Sequence, residues 1–178
     1  MIHVCIPYRT DRNLGKAYND AFKMIGANDW LCITDYDVLF LLPDTIKHLY
    51  EYVERYPKAD VFTCFANRSH VNSKQQLLGE TVSNITDMNY HIQQAKTQTK
   101  FLYEATEIHG NISGYLMMLS KKLWKEIPFV EDMKCLGVDT MFSQRLREKG
   151  KKIFRMDGIM VWHTYRLANG VKDKSHLL

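Results

Sequence analysis

The chain has 178 residues, 46% of them hydrophobic and 25% charged, and its 24 Lys and Arg against 20 Asp and Glu give a formal net charge of +4. This length favours one sizeable hydrophobic core over two independent ones, so we expect a single domain over 1–178. The charge is mild and the basic residues fall in small clusters, which argues against nucleic-acid binding. Peripheral contact with a membrane surface or a weakly anionic acceptor stays open.

The four cysteines, Cys5, Cys32, Cys64 and Cys135, form no Cys-x-x-Cys pair, and three of them lie in apolar, strand-like runs. A cysteine in such a run behaves as a small hydrophobic residue, which fits a reducing compartment. The chain starts with a strand pattern instead of a charged leader, and no apolar run approaches the length that crosses a bilayer. We therefore expect a soluble, cytoplasmic protein.

Strand and helix patterns alternate in the first third of the chain. Hydrophobic periodicity and the positions of Gly and Pro predict strands at 2–6, 30–34 and 59–65 and helices from Leu14 to Gly26 and from Pro43 to Pro57. The apolar face predicted for the second helix consists of Ile46, Leu49, Tyr50, Val53 and Tyr56.

The segment 67–109 is rich in Asn, Gln, Ser, Thr and Lys. We interpret it as a polar, partly helical insertion, which is a common place for substrate-selecting elements. Regular patterns return after it. They predict a strand within 110–120, a short helix at 121–126, a helix from Val138 that ends at Gly150, and a last strand that delivers His163.

Alternating strands and amphipathic helices predict an α/β fold, with a Rossmann-like, mostly parallel sheet flanked by helices. Ligands of such sheets bind at the carboxyl ends of the strands. The segment Pro7-Tyr8-Arg9 and the pair Asp35 and Asp37 follow predicted strands directly. We expect both to lie at this edge.

The Asp pair carries the strongest chemical signal. In WLCITDYDVLF, at 30–40, two carboxylates one residue apart interrupt an apolar run. Burying carboxylates beside such a run costs several kcal/mol per ion unless they are paired. A divalent cation that also binds substrate phosphates would pair them, because Mg²⁺ and Mn²⁺ prefer such oxygens. The alternative is a turn in which Asp35 and Asp37 bond to local backbone.

Four segments in order resemble glycosyltransferases of the GT-A fold, of the family 2 type. The helix, strand and Asp-x-Asp block of that family is similar to NLGKAYNDAFKMIGANDWLCITDYDVLFLLPDTI. Its acceptor-side strand and helix are similar to GNISGYLMMLSKKLWKEI, its Glu-Asp helix to GVDTMFSQRLREKGKKI and its terminal His segment to DGIMVWHTY. The last two segments resemble in particular the galactosaminyltransferase-type domains.

The resemblance implies an inverting, metal-dependent glycosyltransferase. Such an enzyme moves a sugar from a nucleotide-diphosphate donor, here a UDP-sugar, to a hydroxyl acceptor with the help of Mn²⁺ or Mg²⁺. By position, Asp37 and His163 would bind the metal and Asp35 would lie nearer the ribose and diphosphate. Asp139 matches the general base that takes the proton of the acceptor hydroxyl.

The resemblance also implies that Pro7, Tyr8 and Arg9 form the loop that receives the nucleotide base, with Asp11 joining it. Two positions depart from the family pattern, because Tyr18 stands where an Arg is common and Val138 stands where the first acid of the Glu-Asp pair is expected. The stretch between the first strand and helix is also shorter than usual.

Ordinary roles remain for several of these residues: helix N-cap for Asp139, a strand end for His163, and surface ion pairs for Arg9 and Arg166. Two other classes of function also remain. One is a non-catalytic nucleotide-sugar binding module. The other is a metal-dependent nucleotidyltransferase or phosphohydrolase, which would equally need paired carboxylates.

Overall fold

A computed structural model describes residues 1–69, 71–79 and 83–165. Its helices are α1 (Leu14–Met24), α2 (Thr45–Arg55), α3 (Met88–Gln98), α4 (Lys121–Glu126) and α5 (Val138–Glu148), with 3₁₀ segments at Val71–Gln76 and Thr99–Phe101. Its strands are β1 (Ile2–Cys5), β2 (Trp30–Thr34), β3 (Val38–Phe40), β4 (Val61–Ala66), β5 (Ala105–Ile108), β6 (Leu116–Ser120) and β7 (Ile153–His163).

The prediction of an α/β fold is confirmed. The strands form one sheet in the order β1-β2-β6-β4-β7-β3, and β5 also pairs with β7. The prediction of a mostly parallel sheet is wrong. β1 with β2 and β4 with β7 are parallel pairs, whereas β2–β6, β4–β6, β3–β7 and β5–β7 are antiparallel.

The error has a physical reason, since hydrophobic periodicity does not encode strand direction. β1 and β2 are parallel, with α1 as the crossover between them. β6 follows β5 through residues 109–115, which hold no helix, and it enters the sheet antiparallel to both its neighbours. β3 and β5 are only three and four residues long, and each pairs with the distant β7.

Both faces of the sheet are covered by helices. Leu31 and Ile33 of β2 pack in a cluster with residues of α1, α4 and α5, whereas Cys32 between them packs in a second cluster with residues of α2. This alternation follows from the period of two along a strand. Since neither face of β2 meets water, its residues from Trp30 to Ile33 are all apolar.

The predicted apolar face of α2 is partly wrong. Leu49 is buried as expected, but Ile46 and Tyr50 are each 38% exposed, and Tyr52 is buried in their place. The Tyr52 hydroxyl accepts hydrogen bonds from the N–H groups of Tyr103 and Gly158. These bonds explain how a tyrosine that lay outside the predicted face satisfies its polar atom in the core.

The loop between α4 and α5 is held against α1. The side chain of Asn19 donates to the Phe129 carbonyl and accepts from the Phe129 N–H. Gly15 permits this approach, because a Cβ atom there would lie 1.8 Å from the Val130 carbonyl oxygen. The loop ends at Gly137, whose φ of +84° suits glycine, and α5 begins at the next residue.

Among the helices that the described ranges contain, none combines the length and the apolar character needed to cross a bilayer.

Candidate functional site

Two carboxylates and an imidazole converge at the edge of the sheet. Asp35, Asp37 and His163 each offer a ligand atom, and these atoms all lie within 4.8 Å of one another. The Nε2 atom of His163 lies 3.4 Å from Oδ1 of Asp37 and 4.0 Å from Oδ2 of Asp35. The structure therefore brings together the three residues that the sequence nominated from distant parts of the chain.

Strand pairing explains this convergence. Asp35 follows β2 directly, and its N–H donates to the Tyr115 carbonyl at 3.1 Å. The chain then turns through Asp37 into β3, which pairs with β7 so that Val38 lies opposite His163. The residue before Val38 and the last residue of β7 are therefore neighbours by register.

Hydrogen bonds on the side away from the carboxylates fix the orientation of His163. Its side chain is only 3% exposed, and its Nδ1 atom lies 2.9 Å from the Arg68 carbonyl oxygen. Because a carbonyl oxygen can only accept, Nδ1 carries a hydrogen and Nε2 is the atom that faces the carboxylates. The His163 N–H donates to Oδ1 of Asn67 at 2.8 Å, which fixes the backbone as well.

Asp37 is prepared as an ionised ligand. Thr164 donates from its hydroxyl to Oδ2 of Asp37 at 3.2 Å and from its N–H to the Asp37 carbonyl at 3.0 Å. Burial alone would raise the pKa of Asp37, yet the hydrogen bonds and charge of His163, with the bond from Thr164, lower it overall. A carboxylate held in its charged form is a competent cation ligand.

Asp35 behaves differently from its neighbour. Its pKa is raised to about 6, chiefly by burial; the attraction of His163 opposes this rise, and the charges of Asp37 and Asp139 add to it. Its side chain is nevertheless 36% exposed by surface area, so it forms the rim of the site while His163 forms the floor. A bound cation would reduce the electrostatic repulsion among these neighbouring carboxylates.

Asp139 lies in the same neighbourhood but is not the helix N-cap, which is Gly137. Its Oδ2 accepts from the Gly114 N–H at 3.0 Å, and its Oδ1 accepts from the Thr140 N–H at 2.8 Å. The residue after Gly114 is Tyr115, whose carbonyl holds the N–H of Asp35. One short turn therefore links the two acids.

Tyr18 lies beside Asp139 with an unsatisfied hydroxyl. This oxygen is buried and has no hydrogen-bond partner among the described residues. A Cβ atom built on Gly114 would lie 3.4 Å from it and 3.7 Å from Oδ2 of Asp139. Burial, followed by the charges of Asp35 and Asp139, raises the pKa of Tyr18 well above its ordinary value, so the hydroxyl is a neutral donor.

The predicted nucleotide loop, with Pro7 at its start, leaves the sheet at the same edge, because Cys5 lies opposite Ile33 in the parallel β1–β2 pair. Tyr8 is 81% exposed. The Arg9 guanidinium is engaged by the carboxylates of Asp11 and Asp20.

That ion pair, with the Asn13 N–H, lowers the pKa of Asp11 to about 2. These two acids thus engage the Arg9 fork, and Asp20 ties the loop to α1, which is the ion-pair role that the sequence left open for Arg9. Arg166, for which a surface ion pair was also expected as the ordinary role, lies outside the described residues.

Sequence reasoning missed the residues that support the ligands. Thr164, Asn67 and the carbonyl of Arg68 contact Asp37 or His163 directly. The only signal for Thr164 was its place next to His163. Asn67 and Arg68 follow β4, so the rule that ligands gather at strand ends could have found them.

No family model and no curated protein matches the chain. The resemblance to GT-A glycosyltransferases therefore stays a prediction from the residues.

The arrangement defines what chemistry the site can perform. With Nδ1 already donating to a carbonyl, the three atoms that face one another are Nε2 and two carboxylate oxygens, all of which can accept. Such a set requires a positive centre between its members, either a proton on Nε2 or a cation. Two carboxylates and one imidazole fit a divalent ion, and the imidazole favours Mn²⁺ over the harder Mg²⁺.

Proposed function

We propose that this protein is a metal-dependent, inverting glycosyltransferase that moves a sugar from a nucleotide-diphosphate donor, a UDP-sugar in the first instance, to a hydroxyl acceptor. The convergence of Asp35, Asp37 and His163 at the carboxyl end of β2 supports this proposal most directly. Open sheets bind ligands at that end, and a diphosphate needs a cation there.

In this proposal, different residues bind the metal ion, the diphosphate and the nucleobase. Asp37 and His163 would hold the ion, and Asp35 at the rim would meet the ribose and diphosphate. A bound Mn²⁺ or Mg²⁺ would offset the negative charge that grows on the departing diphosphate. Tyr8, exposed on the neighbouring loop, offers a flat face on which a nucleobase can stack.

Asp139 would accept the proton of the acceptor hydroxyl. Both of its oxygens receive backbone N–H groups, and each carboxylate oxygen has a second lone pair that can face an acceptor. A carboxylate in this role contributes about 10² to 10⁴-fold to the rate. The hydrogen bonds through Gly114 and Tyr115, which connect Asp139 to Asp35, support this role for Asp139.

A non-catalytic nucleotide-sugar binding module is the second candidate. The hydrogen bond between Asp139 and Gly114 favours it, because a carboxylate that holds a turn in place has a sufficient structural reason to be there. Under this alternative the metal site binds the nucleotide and no sugar is transferred.

Binding and product analysis separate these candidates. Thermal unfolding would be followed with UDP, GDP, CDP and their sugars, each with and without Mn²⁺. We expect a rise in Tm that requires both nucleotide and metal, because a ligand at about 100 times its Kd stabilises the native state by about 2.7 kcal/mol.

The absence of such a rise with every nucleotide would refute the transferase proposal. A rise without a glycosylated product would favour the binding module. Free sugar or nucleoside monophosphate as the product would favour a hydrolase.

A further inference from the structure

In the described part of the chain, the buried guanidinium of Arg68 has only neutral hydrogen-bond partners. Arg68 is 1% exposed and has the largest volume among the fully buried side chains of the described residues. Its Nε donates to the Tyr165 carbonyl at 2.9 Å, and its Nη1 donates to the Ser83 carbonyl and, at 2.8 Å, to Oδ1 of Asn84. None of these acceptors is a carboxylate.

Such an arrangement is costly if it serves packing alone. Removing an ion from water costs several kcal/mol even after relaxation, and neutral carbonyl groups return only part of that. Burial accordingly lowers the pKa of Arg68. A long apolar side chain such as Met would fill the same volume without this penalty, so the guanidinium needs a reason beyond filling space.

The three bonds of Arg68 tie together three separate parts of the chain. They join the segment after β4, the segment at Ser83 and Asn84, and Tyr165, which lies two residues beyond the end of β7. The Ser83 N–H also donates to the Asn67 carbonyl at 2.9 Å, which closes the clamp.

This clamp surrounds His163. The Arg68 carbonyl accepts from Nδ1, Oδ1 of Asn67 accepts from the His163 N–H, and the Tyr165 ring lies 5.3 Å from the imidazole. Among the described residues, these contacts all come from Arg68, its chain neighbour or its hydrogen-bond partner, and the Tyr115 ring lies 5.1 Å from the imidazole as well.

We propose that Arg68 is a positioning residue of the metal centre: its guanidinium clamp holds its own carbonyl against Nδ1 of His163, so that the ring stays in one tautomer with Nε2 directed at the cation. This inference rests on the proposed function for the identity of the cation. Groups that orient a ligating imidazole typically change metal affinity by 10- to 100-fold when they are mutated.

The variant Arg68→Met tests the role, with Arg155→Met as a matched control. Arg155 lies on β7 away from His163, donates to Asp157 and Gln75, and stacks over Phe65, so its loss removes a comparable structural arginine. Calorimetric titration of each protein with Mn²⁺ alone measures the affinity, and long-range proton–nitrogen NMR spectra without metal report the tautomer of His163.

For Arg68→Met we expect at least a 10-fold loss of Mn²⁺ affinity and a mixture of His163 tautomers. Arg155→Met should retain both wild-type values. Arg68→Lys should not rescue the loss, because one ammonium group cannot reproduce the planar fork. Asn84→Ala, which removes a single partner from an exposed residue, should lower the affinity by a smaller factor and guards against failure of Arg68→Met to fold.

Wild-type affinity and an unchanged tautomer in both Arg68→Met and Asn84→Ala would overturn the inference while leaving the proposed metal centre intact. A wild-type protein that binds no Mn²⁺ would instead remove the metal centre. In that case the tautomer comparison still decides whether Arg68 orients His163.

Discussion

The Nε2 atom of His163 lies 3.4 Å from Oδ1 of Asp37, although the two residues come from opposite ends of the chain. Their proximity is a property of the backbone, because the residue after Asp37 pairs with His163 in the β3–β7 ladder. The backbones of Asp37 and His163 therefore stay close together as long as this ladder is intact.

The first prediction concerns the metal ligands. Asp37→Asn should abolish the Mn²⁺-dependent rise in Tm, because an amide oxygen lacks the charge that holds a divalent ion. Glu54→Gln, which neutralises an exposed acid on α2, is the control and should keep the full rise. An undiminished metal response in Asp37→Asn would count against the site.

The second prediction concerns pH. The pKa of Asp35 is raised from 3.8 to about 6 in the folded protein. Between these values the folded state binds more protons than the unfolded state, so this group makes stability fall as the pH rises. Asp35→Asn should remove that component from the pH dependence of the free energy of unfolding, measured by denaturant titration.

Asp37 should affect the pH dependence of stability in the opposite direction. Its pKa is lowered, so its contribution is present above the unfolded value and is lost as the pH falls. Asp37→Asn should therefore weaken the protein most at neutral pH. A pH profile that responds identically to the two substitutions would contradict the different environments assigned to the two acids.

The third prediction concerns the proposed base. Asp139→Asn should keep metal-dependent nucleotide binding and lose sugar transfer by about 10² to 10⁴-fold, since an amide cannot accept the proton. The amide oxygen can still accept from the Gly114 N–H, so the turn should survive.

Ser143→Ala on the same helix is the structural control. It leaves the buried Ile112 N–H unsatisfied, which costs about 1–3 kcal/mol of stability, and removes a hydrogen bond to the Asp139 carbonyl, but it keeps the Asp139 carboxylate. Full turnover by Asp139→Asn would exclude the base assignment.

The fourth prediction compares two buried tyrosines. Tyr18→Phe should leave the free energy of unfolding unchanged or raise it, because it removes a buried hydroxyl that has no partner in the described part of the chain. Tyr52→Phe should lower it by about 1–3 kcal/mol for each buried N–H group that loses its acceptor. Chemical denaturation measures both. A large loss for Tyr18→Phe would indicate an acceptor near Asp139.

The fifth prediction concerns Gly15. Replacing a helical glycine with alanine usually adds up to about 1 kcal/mol of stability. Here the added Cβ would meet the Val130 carbonyl oxygen at 1.8 Å, so Gly15→Ala should destabilise by about 1–3 kcal/mol as the loop is pushed away. Lys16→Ala, one residue on, should change the stability little. Equal melting temperatures for the two variants would refute the close approach.

The sequence predicted those elements whose signals are local. The helix at 121–126 appears with the same bounds, because Ser120 caps it and apolar spacing marks its face. α1 likewise begins after its cap, Asn13. β3 escaped notice because three residues carry almost no periodicity, and β5 because ATEI lacks the apolar run that marks the equally short β1.

In the candidate site, too, the sequence predicted only the features that have a local signal. The strand-end rule predicted that Asp35 and Asp37 lie at the ligand edge, and the last strand delivers His163 to them. Three features could not be predicted without knowing which loops meet in space. They are the ion pairs of Arg9 with two acids, the hydrogen bond from Gly114 to Asp139 and the unsatisfied hydroxyl of Tyr18. Spacing along one chain does not contain that information.

The position of β7 in the chain also affects when the sheet can fold during synthesis. β7 is the last strand of the described chain, yet it pairs with β3, β4 and β5, which are all synthesised earlier. Contacts between residues so distant in sequence form late and slowly. We therefore expect a nascent chain that stops before residue 153 to lack both a complete sheet and the Asp35–Asp37–His163 cluster, so that the proposed metal site is completed only at the end of folding.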